Sequence, residues 1–295
     1  MTSRRKPQWI RGRLPSASAV SQMNRQTLAR SLHTVCLHAR CPNRGECAQK
    51  GNATFLILGD LCTRNCAFCA VAHGHPGALD PDEPKRVAEA VKSLNVVHAV
   101  ITSVTRDDLP DGGASVFAAT IAAVRGLVPH ATVEVLVPDF RGCGRALETV
   151  VHAAPEVIGH NLETVPRLYG ILRGGADYAV SLALLRNAKR LDPRIITKSG
   201  IMLGIGETRE ELRRVIGDLA RIRCDVLTLG QYLQPTPDHH PVVRYLGLEE
   251  FHDLREIATR EGIPQVVAGP MVRSSYHARD VLDELLSKAG RDGLR

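Results

Sequence analysis

The chain has 295 residues, 44% hydrophobic and 23% charged, a globular composition with enough apolar material for one large core or two ordinary ones. This excludes a disordered chain, and no run of about 18 apolar residues offers a membrane span. The formal charge of +7 is uneven: no Asp or Glu precedes Glu46, while Arg4, Arg5, Lys6, Arg11, Arg13, Arg25, Arg30, Arg40 and Arg44 do. The basic character therefore belongs to an N-terminal arm, which suits an anionic partner such as nucleic acid, a membrane surface or an acidic protein.

In chain order, residues 1–30 read as irregular, with Pro7, Gly12, Pro15 and several Ser. The start lacks the apolar run of a secretory signal. It has the Arg/Ser-rich, acid-poor composition of a mitochondrial transit peptide, but Pro7 and Pro15 interrupt any helix. A bacterial-like cytoplasmic location is expected. Phe55-Leu56-Ile57-Leu58 reads as a buried strand. A helix follows over 84–95, with Pro at its first position, then a strand over 96–101 ending at Thr102-Ser103. Helices are expected over 114–127, 144–153, 177–191, 208–222, 248–261 and 278–288. Strands are expected over 132–137, 156–159, 195–203, 225–229 and 266–268.

Strands alternating with helices of this length argue for parallel βαβ units. Six precede the tail, fewer than a full eight-stranded barrel needs, and periodicity alone leaves closure open. In such barrels chemistry sits at the C-terminal ends of strands. That rule picks out the 62–69 loop, Thr102-Ser103, Asn161 with Glu163, Lys198, and Gln231-Tyr232.

Six of the eight cysteines crowd between residues 36 and 69. A disulfide framework suits a small secreted domain rather than a chain of this length. Cys36, Cys41 and Cys47 read C-x4-C-x5-C; Cys62, Cys66 and Cys69 read C-x3-C-x2-C. Neither has the paired C-x2-C form of structural zinc, although His33, His38, His73 or His75 could add a fourth ligand. Thiolates also hold iron–sulfur clusters, and a cubane held by three cysteines keeps one iron open for a substrate. Cys143 and Cys224 stand alone and read as structural thiols. Gly204-Ile205-Gly206 is no dinucleotide fingerprint, because Arg209 stands where the third Gly belongs; its backbone could still approach a ligand closely. His239-His240 reads as a surface loop. Asp107-Asp108, Glu210-Glu211 and Glu249-Glu250 read as solvated or capping carboxylates.

A strand followed by C-x3-C-x-Φ-C, with Phe68 before the last cysteine, resembles the radical S-adenosylmethionine (SAM) superfamily. The two triplets in this order resemble the lipoyl synthase family within it. So do KPQWIR (6–11), ITSVTRDDLPDGGA (101–114), HNLETV (160–165), TKSGIMLGIGET (197–208), LTLGQYLQPT (227–236), HHPVVRY (239–245) and AGPMVRSSYHA (268–278).

The resemblance implies an α/β fold, an open (β/α)6 TIM-like partial barrel over 55–234. An N-terminal extension, 1–54, would carry the auxiliary triplet, and a C-terminal extension, 235–295, the R-S-S-Y motif. It implies two [4Fe–4S] clusters and SAM. Cys62, Cys66 and Cys69 would hold the cluster whose open iron chelates SAM; one electron then cleaves SAM to methionine and a 5′-deoxyadenosyl radical. Cys36, Cys41 and Cys47, with Ser275 (or Ser274) as fourth ligand, would hold the cluster that donates sulfide. The family's reaction places two sulfurs on carbons six and eight of an octanoyl chain amide-linked to a lysine of a carrier domain. Those carbons are unactivated, so a radical must remove hydrogen.

By position, Thr102, Ser103, Asn161, Glu163 and Lys198 become candidate SAM contacts. Glu163 would meet the ammonium, Lys198 the carboxylate or a ribose hydroxyl, and the backbone at Phe68 the adenine. Arg173 would face the substrate. The implied partners are octanoylated lipoyl carrier domains (acyltransferase subunits of 2-oxoacid dehydrogenases, the glycine cleavage H protein), docking on the basic arm. Ferredoxin or flavodoxin would donate electrons. No nucleic acid is expected, since clustered aromatics for stacking are absent, and no membrane. Thr105 departs from a usual Asp, Gly174 and Leu248 from a usual Pro, and Ala48 from a usual Trp. The alternatives are another radical-SAM sulfur inserter, such as one acting on a small molecule as biotin synthase does, and an inactive paralogue that keeps both clusters. A non-catalytic zinc or iron–sulfur protein that binds nucleic acid through its basic arm is the third.

Overall fold

The computed structural model describes residues 6–10, 17–49, 54–288 and 290. Eight strands form one sheet in sequence order: β1 (His33–Thr34), β2 (Thr54–Ile57), β3 (His98–Ser103), β4 (Thr132–Leu136), β5 (Val157–Gly159), β6 (Ile196–Leu203), β7 (Val226–Gln231) and β8 (Gln265–Gly269). β1 pairs antiparallel with β2, and every later neighbour is parallel. The order runs from β1 to β8 without closing among the described strands.

Parallel neighbours need crossovers, and helices supply them. α1 (Ala17–Leu28), α2 (Val35–His38) and α3 (Arg44–Gln49) belong to the N-terminal segment. α4 (Glu83–Ser93), α5 (Ala114–Leu127), α6 (Gly144–His152), α7 (Tyr169–Leu172), α8 (Tyr178–Leu191), α9 (Arg209–Arg221) and α10 (Leu248–Arg260) follow successive strands, and α11 (Ala278–Lys288) ends the fold. The expected alternation is therefore present over the whole body. The sheet takes β1 from before residue 55 and β8 from after residue 234, so both extensions are continuous with the barrel.

The main core lies between the sheet and helices α4 to α10. The strands that build it are buried on both faces, as strands of parallel sheets are; β2 is buried throughout. On the opposite sheet face, Val157, Ile196 and Val226 pack against Val281, Leu282 and Leu285 of α11. α11 thus plugs the barrel where the strands begin and leaves their C-terminal ends to the loops. Among the described residues no helix is long and apolar enough to cross a membrane.

Three expectations are corrected. Residues 17–28 form α1 rather than an irregular stretch; no Pro or Gly lies inside that segment, and Pro15 precedes it. Lys198 is not at a strand end but is the third residue of the eight-residue β6. Its Nζ pairs with Glu134 at 2.8 and 3.1 Å, and Glu134 also meets His98 Nε2 at 3.3 Å. All three side chains are buried, and a buried cation without its counter-ion costs several kcal/mol. Lys198 is therefore held by Glu134 inside the barrel rather than presented to SAM. Cys143 is exposed at the start of α6, whereas Cys224 is buried with its thiol pushed up to about 12 by burial.

Candidate active site

The loop after β2 carries Cys62, Cys66 and Cys69 and is stapled from several sides. Arg64 donates from Nε and Nη2 to Asp107 and from Nη1 and Nη2 to Asp139, at 2.6–2.9 Å. Burial opposes the Arg64 charge, but the two carboxylates outweigh it and hold the guanidinium above its ordinary value. Asp107 is thus a clamp residue, not the solvated carboxylate its sequence position suggests. Arg64 and Thr105 point backbone N–H groups at Cys62 Sγ, at 3.4 and 3.3 Å. The Thr105 carbonyl accepts from the Thr63 N–H and hydroxyl. Thr105 therefore acts through its backbone, which the departure from Asp leaves intact. Ala67 N–H donates to Leu172 O, and His239 Nε2 to Cys69 O at 2.9 Å. His239-His240 is consequently a lid on the cysteine loop rather than a free surface loop.

Burial pushes the Cys66 thiol up to about 11 and Cys69 to about 12. Protons would hold those sulfurs in the metal-free chain, and a bound iron must displace them. His73 and His75 are exposed.

Asn161 and Glu163 meet at the end of β5. Asn161 Nδ2 donates to Glu163 Oε1 at 3.0 Å, and Asn161 Oδ1 is buried with no partner. Glu163 has φ +64°, the left-handed region, costly for a residue with Cβ. It is fixed there by hydrogen bonds with Gly200 O and Met202 N. Gly200 is required: a Cβ would stand 2.9 Å from Asn161 Oδ1 and from Thr228 Oγ1. Burial raises the Glu163 carboxyl, against the pull of Arg173 and Asn161. Arg173 donates to Asn161 O and Tyr169 OH, and so braces this turn from behind. Ser103 Oγ is buried without a partner, while the Thr102 hydroxyl is turned to Leu136 O on β4 at 2.7 Å.

The second triplet lies beside Thr54 and His98, the first residues of β2 and β3, and the start of α11. Cys36, Cys41 and Cys47 line a cavity of about 30 Å3 together with Arg273, Ser275 and Tyr276. Ser274 does not line it. The cysteine arm is tied to the C-terminal segment: Asn43 Nδ2 donates to Met271 O at 2.6 Å, and Tyr276 OH and His277 Nε2 reach Glu46 at 3.1–3.2 Å. Burial pushes Cys36 up to about 11. Burial also pulls the Arg273 guanidinium below its usual value, against the pull of neighbouring Cys41.

One larger cavity, about 380 Å3, joins the two. Phe68 and Cys69 line it together with Cys41, Ser274 and Ser275 and with Asn161, Glu163 and Gly200. Its volume is that of a small-molecule pocket. Lys6 reaches its rim, and Trp9 Nε1 donates to Leu246 O, which fixes the KPQW strap. Arg4, Arg5, Arg11 and Arg13 of the basic arm lie outside the described residues, as does the Ala48 side chain.

A family model described as the Radical SAM superfamily matches residues 56–219. A lipoyl synthase of Caldanaerobacter subterraneus subsp. tengcongensis is 54% identical over 274 residues, 93% of this chain and 96% of that one. A lipoyl synthase of Rubrobacter xylanophilus is 51% identical over 279 residues, 95% and 87% of the two chains.

The chain belongs to the lipoyl synthase family.

A lipoyl synthase of Geobacter sulfurreducens, 54% identical over 94% of the chain, agrees with this membership. Methylornithine synthase (PylB) shares the fold, with a TM-score of 0.53, 13% identity, and 96% and 90% of the two chains covered. HydG, a maturase of the [FeFe]-hydrogenase, gives a TM-score of 0.57 at 13% identity over 72% and 51%. The chain is thus a radical-SAM sulfurtransferase, and the superfamily implies one [4Fe–4S] cluster and SAM. For this lipoyl synthase family member, sequence reasoning overlooked Arg64, whose partners come from two other loops, and Arg273, quoted only within its motif. A basic residue between two closely spaced cysteines was the available signal for Arg64.

Gly204-Ile205-Gly206 serves the chain itself. The N–H groups of Gly204 and Ile205 donate to the Glu207 carboxylate at 2.6 and 2.9 Å. A Cβ at Gly204, which has φ +83°, would run into Arg244 O.

Proposed function

We propose that the chain inserts two sulfur atoms into a protein-bound octanoyl-lysine to give lipoyl-lysine, with the auxiliary cluster as sulfur donor. The supporting observation is the single cavity that touches Cys69 of one triplet and both Cys41 and Ser275 of the other. A substrate carbon placed there has access to both centres without leaving the protein.

The residues fit the implied groups. Cys62, Cys66 and Cys69 offer three thiols, one short of a cubane's four irons, which suits an iron kept open for SAM. Cys36, Cys41, Cys47 and Ser275 offer four donors around one small cavity. When bound, these groups supply the hydrogen-abstracting radical for the unactivated carbons and the sulfur that replaces the hydrogens. The chain's own residues bind and orient. Asn161 Oδ1, an unpartnered buried acceptor, and Glu163 together suit the SAM ammonium. Ser103 Oγ and the Phe68 backbone remain available for its other parts. Val35, Ile201, Met202 and Leu233 give the cavity an apolar wall for an eight-carbon chain. Ser275 as an oxygen ligand would be easier to protonate and displace than a thiolate, which suits a cluster that is dismantled.

The carrier is a lipoyl domain, of the 2-oxoacid dehydrogenase or glycine cleavage type, docking where Lys6 and Arg40 rim the cavity. Ferredoxin or flavodoxin supplies electrons, and the enzyme works in a bacterial-type cytoplasm. Exposed charges are screened over about 10 Å at 0.1 M salt, so raising salt is expected to weaken carrier binding.

The test is one anaerobic reaction of the reconstituted protein with SAM, dithionite and an octanoyl-lysine peptide, read by mass spectrometry. Lipoyl peptide with 5′-deoxyadenosine, stopping at a single product per chain, is the expected result. Deoxyadenosine without sulfur in the peptide would overturn the substrate. Neither product from a protein holding both clusters would overturn the activity.

A further inference from the structure

We propose that His33, His38 and Asp60 form a binding site for a borderline divalent cation of the zinc class, separate from both cysteine triplets. The three come from different elements: His33 from β1, His38 from the end of α2, and Asp60 from the loop after β2. One donor atom from each lies within 4.8 Å of the others. None of the three lines either cysteine cavity.

The two imidazoles already have the spacing of co-ligands. His33 Nδ1 and His38 Nε2 are 3.2 Å apart. Two nitrogens at about 2.0–2.1 Å from one tetrahedral zinc stand roughly 3.3 Å apart. His38 Nδ1 sits 3.0 Å from Thr34 O, and a carbonyl only accepts, so Nδ1 carries the proton. The Nε2 lone pair therefore faces His33. A ring nitrogen fixed by a backbone carbonyl is the usual outer support of a metal-bound histidine. Burial, and then the neighbouring His38, hold His33 below its ordinary value, against the pull of Asp60, which favours the neutral form that ligates. Without a cation, His33 donates its Nδ1 proton to His38. With one, that proton moves to His33 Nε2 and both lone pairs face the ion.

Asp60 is exposed and free to swing in, and water completes the shell. His33 and Asp60 also line a polar cavity of about 130 Å3, which gives an ion a path from solvent.

The placement gives the cation a task, which rests on the sulfur-donor reading above. His38 lies two residues after Cys36, and Asp60 two residues before Cys62. A cation here clips the auxiliary-cluster arm to the loop of the SAM cluster. The arm then stays docked while its own cluster is dismantled and rebuilt.

The test does not depend on activity. The full chain, loaded anaerobically with both clusters, is equilibrated with one equivalent of Zn2+ and desalted. Zinc and iron are counted, and the zinc K-edge spectrum is taken. The expected result is about one zinc per chain with a nitrogen/oxygen shell at about 2.0–2.1 Å, imidazole scattering and no sulfur. His38→Gln and Asp60→Asn should each cut retention about tenfold or more while iron content stays unchanged. Asp60 is exposed, so its variant tests the site even if His38→Gln folds poorly. No retained zinc in the parent chain, sulfur in the shell, or equal retention in Asp60→Asn would overturn the proposal and leave a histidine–histidine hydrogen bond.

Discussion

The two cysteine triplets are held by opposite strategies. The 62–69 loop is built into the barrel: Arg64 binds carboxylates from the loops after β3 and β4, and backbone groups at 64 and 105 face Cys62 Sγ. The 36–47 arm is held by the other end of the chain, through Asn43 to Met271 O and through Glu46 to Tyr276 and His277. The first set is anchored on the loops that follow two neighbouring strands of the sheet. The second closes where segments near the two chain ends meet. That difference suits one cluster that persists and one that is consumed.

Single ligand changes should split the two sites completely. Cys66→Ala should abolish both deoxyadenosine and lipoyl product. Cys41→Ala should keep deoxyadenosine formation and lose the lipoyl product, by mass spectrometry of one reaction. If Cys41→Ala also stops SAM cleavage, the two centres are not independent.

Arg64→Met should be the costliest change outside the ligands. The Asp139 side chain is 2% exposed and would lose its cation. Leaving a buried charge unpaired costs about 3–5 kcal/mol. Urea unfolding should show that loss, and iron should leave the 62–69 site while the other site keeps its complement. A cost under 1 kcal/mol would mean the clamp is not what holds this loop.

His160 extends the comparison to pH. It sits behind the same loop, with Nδ1 donating to Val137 O and Nε2 buried without a partner. Burial, then Arg173, lowers its pKa from 6.5 to about 4. The unfolded chain takes up this proton near pH 6.5, the folded chain only near 4. Stability is thus complete above 6.5 and falls as pH drops towards 4, by up to about 3 kcal/mol. His160→Asn should flatten this part of the slope in urea midpoints taken between pH 7 and 4. An unchanged slope would assign acid sensitivity to other groups.

What the sequence made legible was local. Ligand spacing, the strand before it and the period of the βα units are each carried by neighbouring residues, and the fold follows them. Lys198 misled because strand-end reasoning needs the strand's length, and its partner Glu134 is 64 residues away. Arg64 read as a spacer because its meaning lies at positions 107 and 139. His239 read as surface because nothing near it in sequence shows that Cys69 O waits above. α1 lacked a clear apolar stripe, and packing against the β1 and α3 region decides it.

The smallest expected effect is the sharpest test of the opening contrast. Glu46 is partly exposed, and its carboxylate accepts from Tyr276 OH and His277 Nε2 at the joint between the chain ends. Glu46→Gln keeps the shape and removes the charge, a change worth about 1 kcal/mol at such a site. The barrel does not depend on this contact, so urea unfolding should move little. The joint does depend on it, and 1 kcal/mol is about fivefold in an opening equilibrium. Iron should therefore leave the 36–47 site about fivefold faster under a chelator, by that conversion, while the 62–69 site loses iron at the parental rate. Equal acceleration at both sites would show that the arm and the barrel open together, and the two ways of holding a cluster would reduce to one.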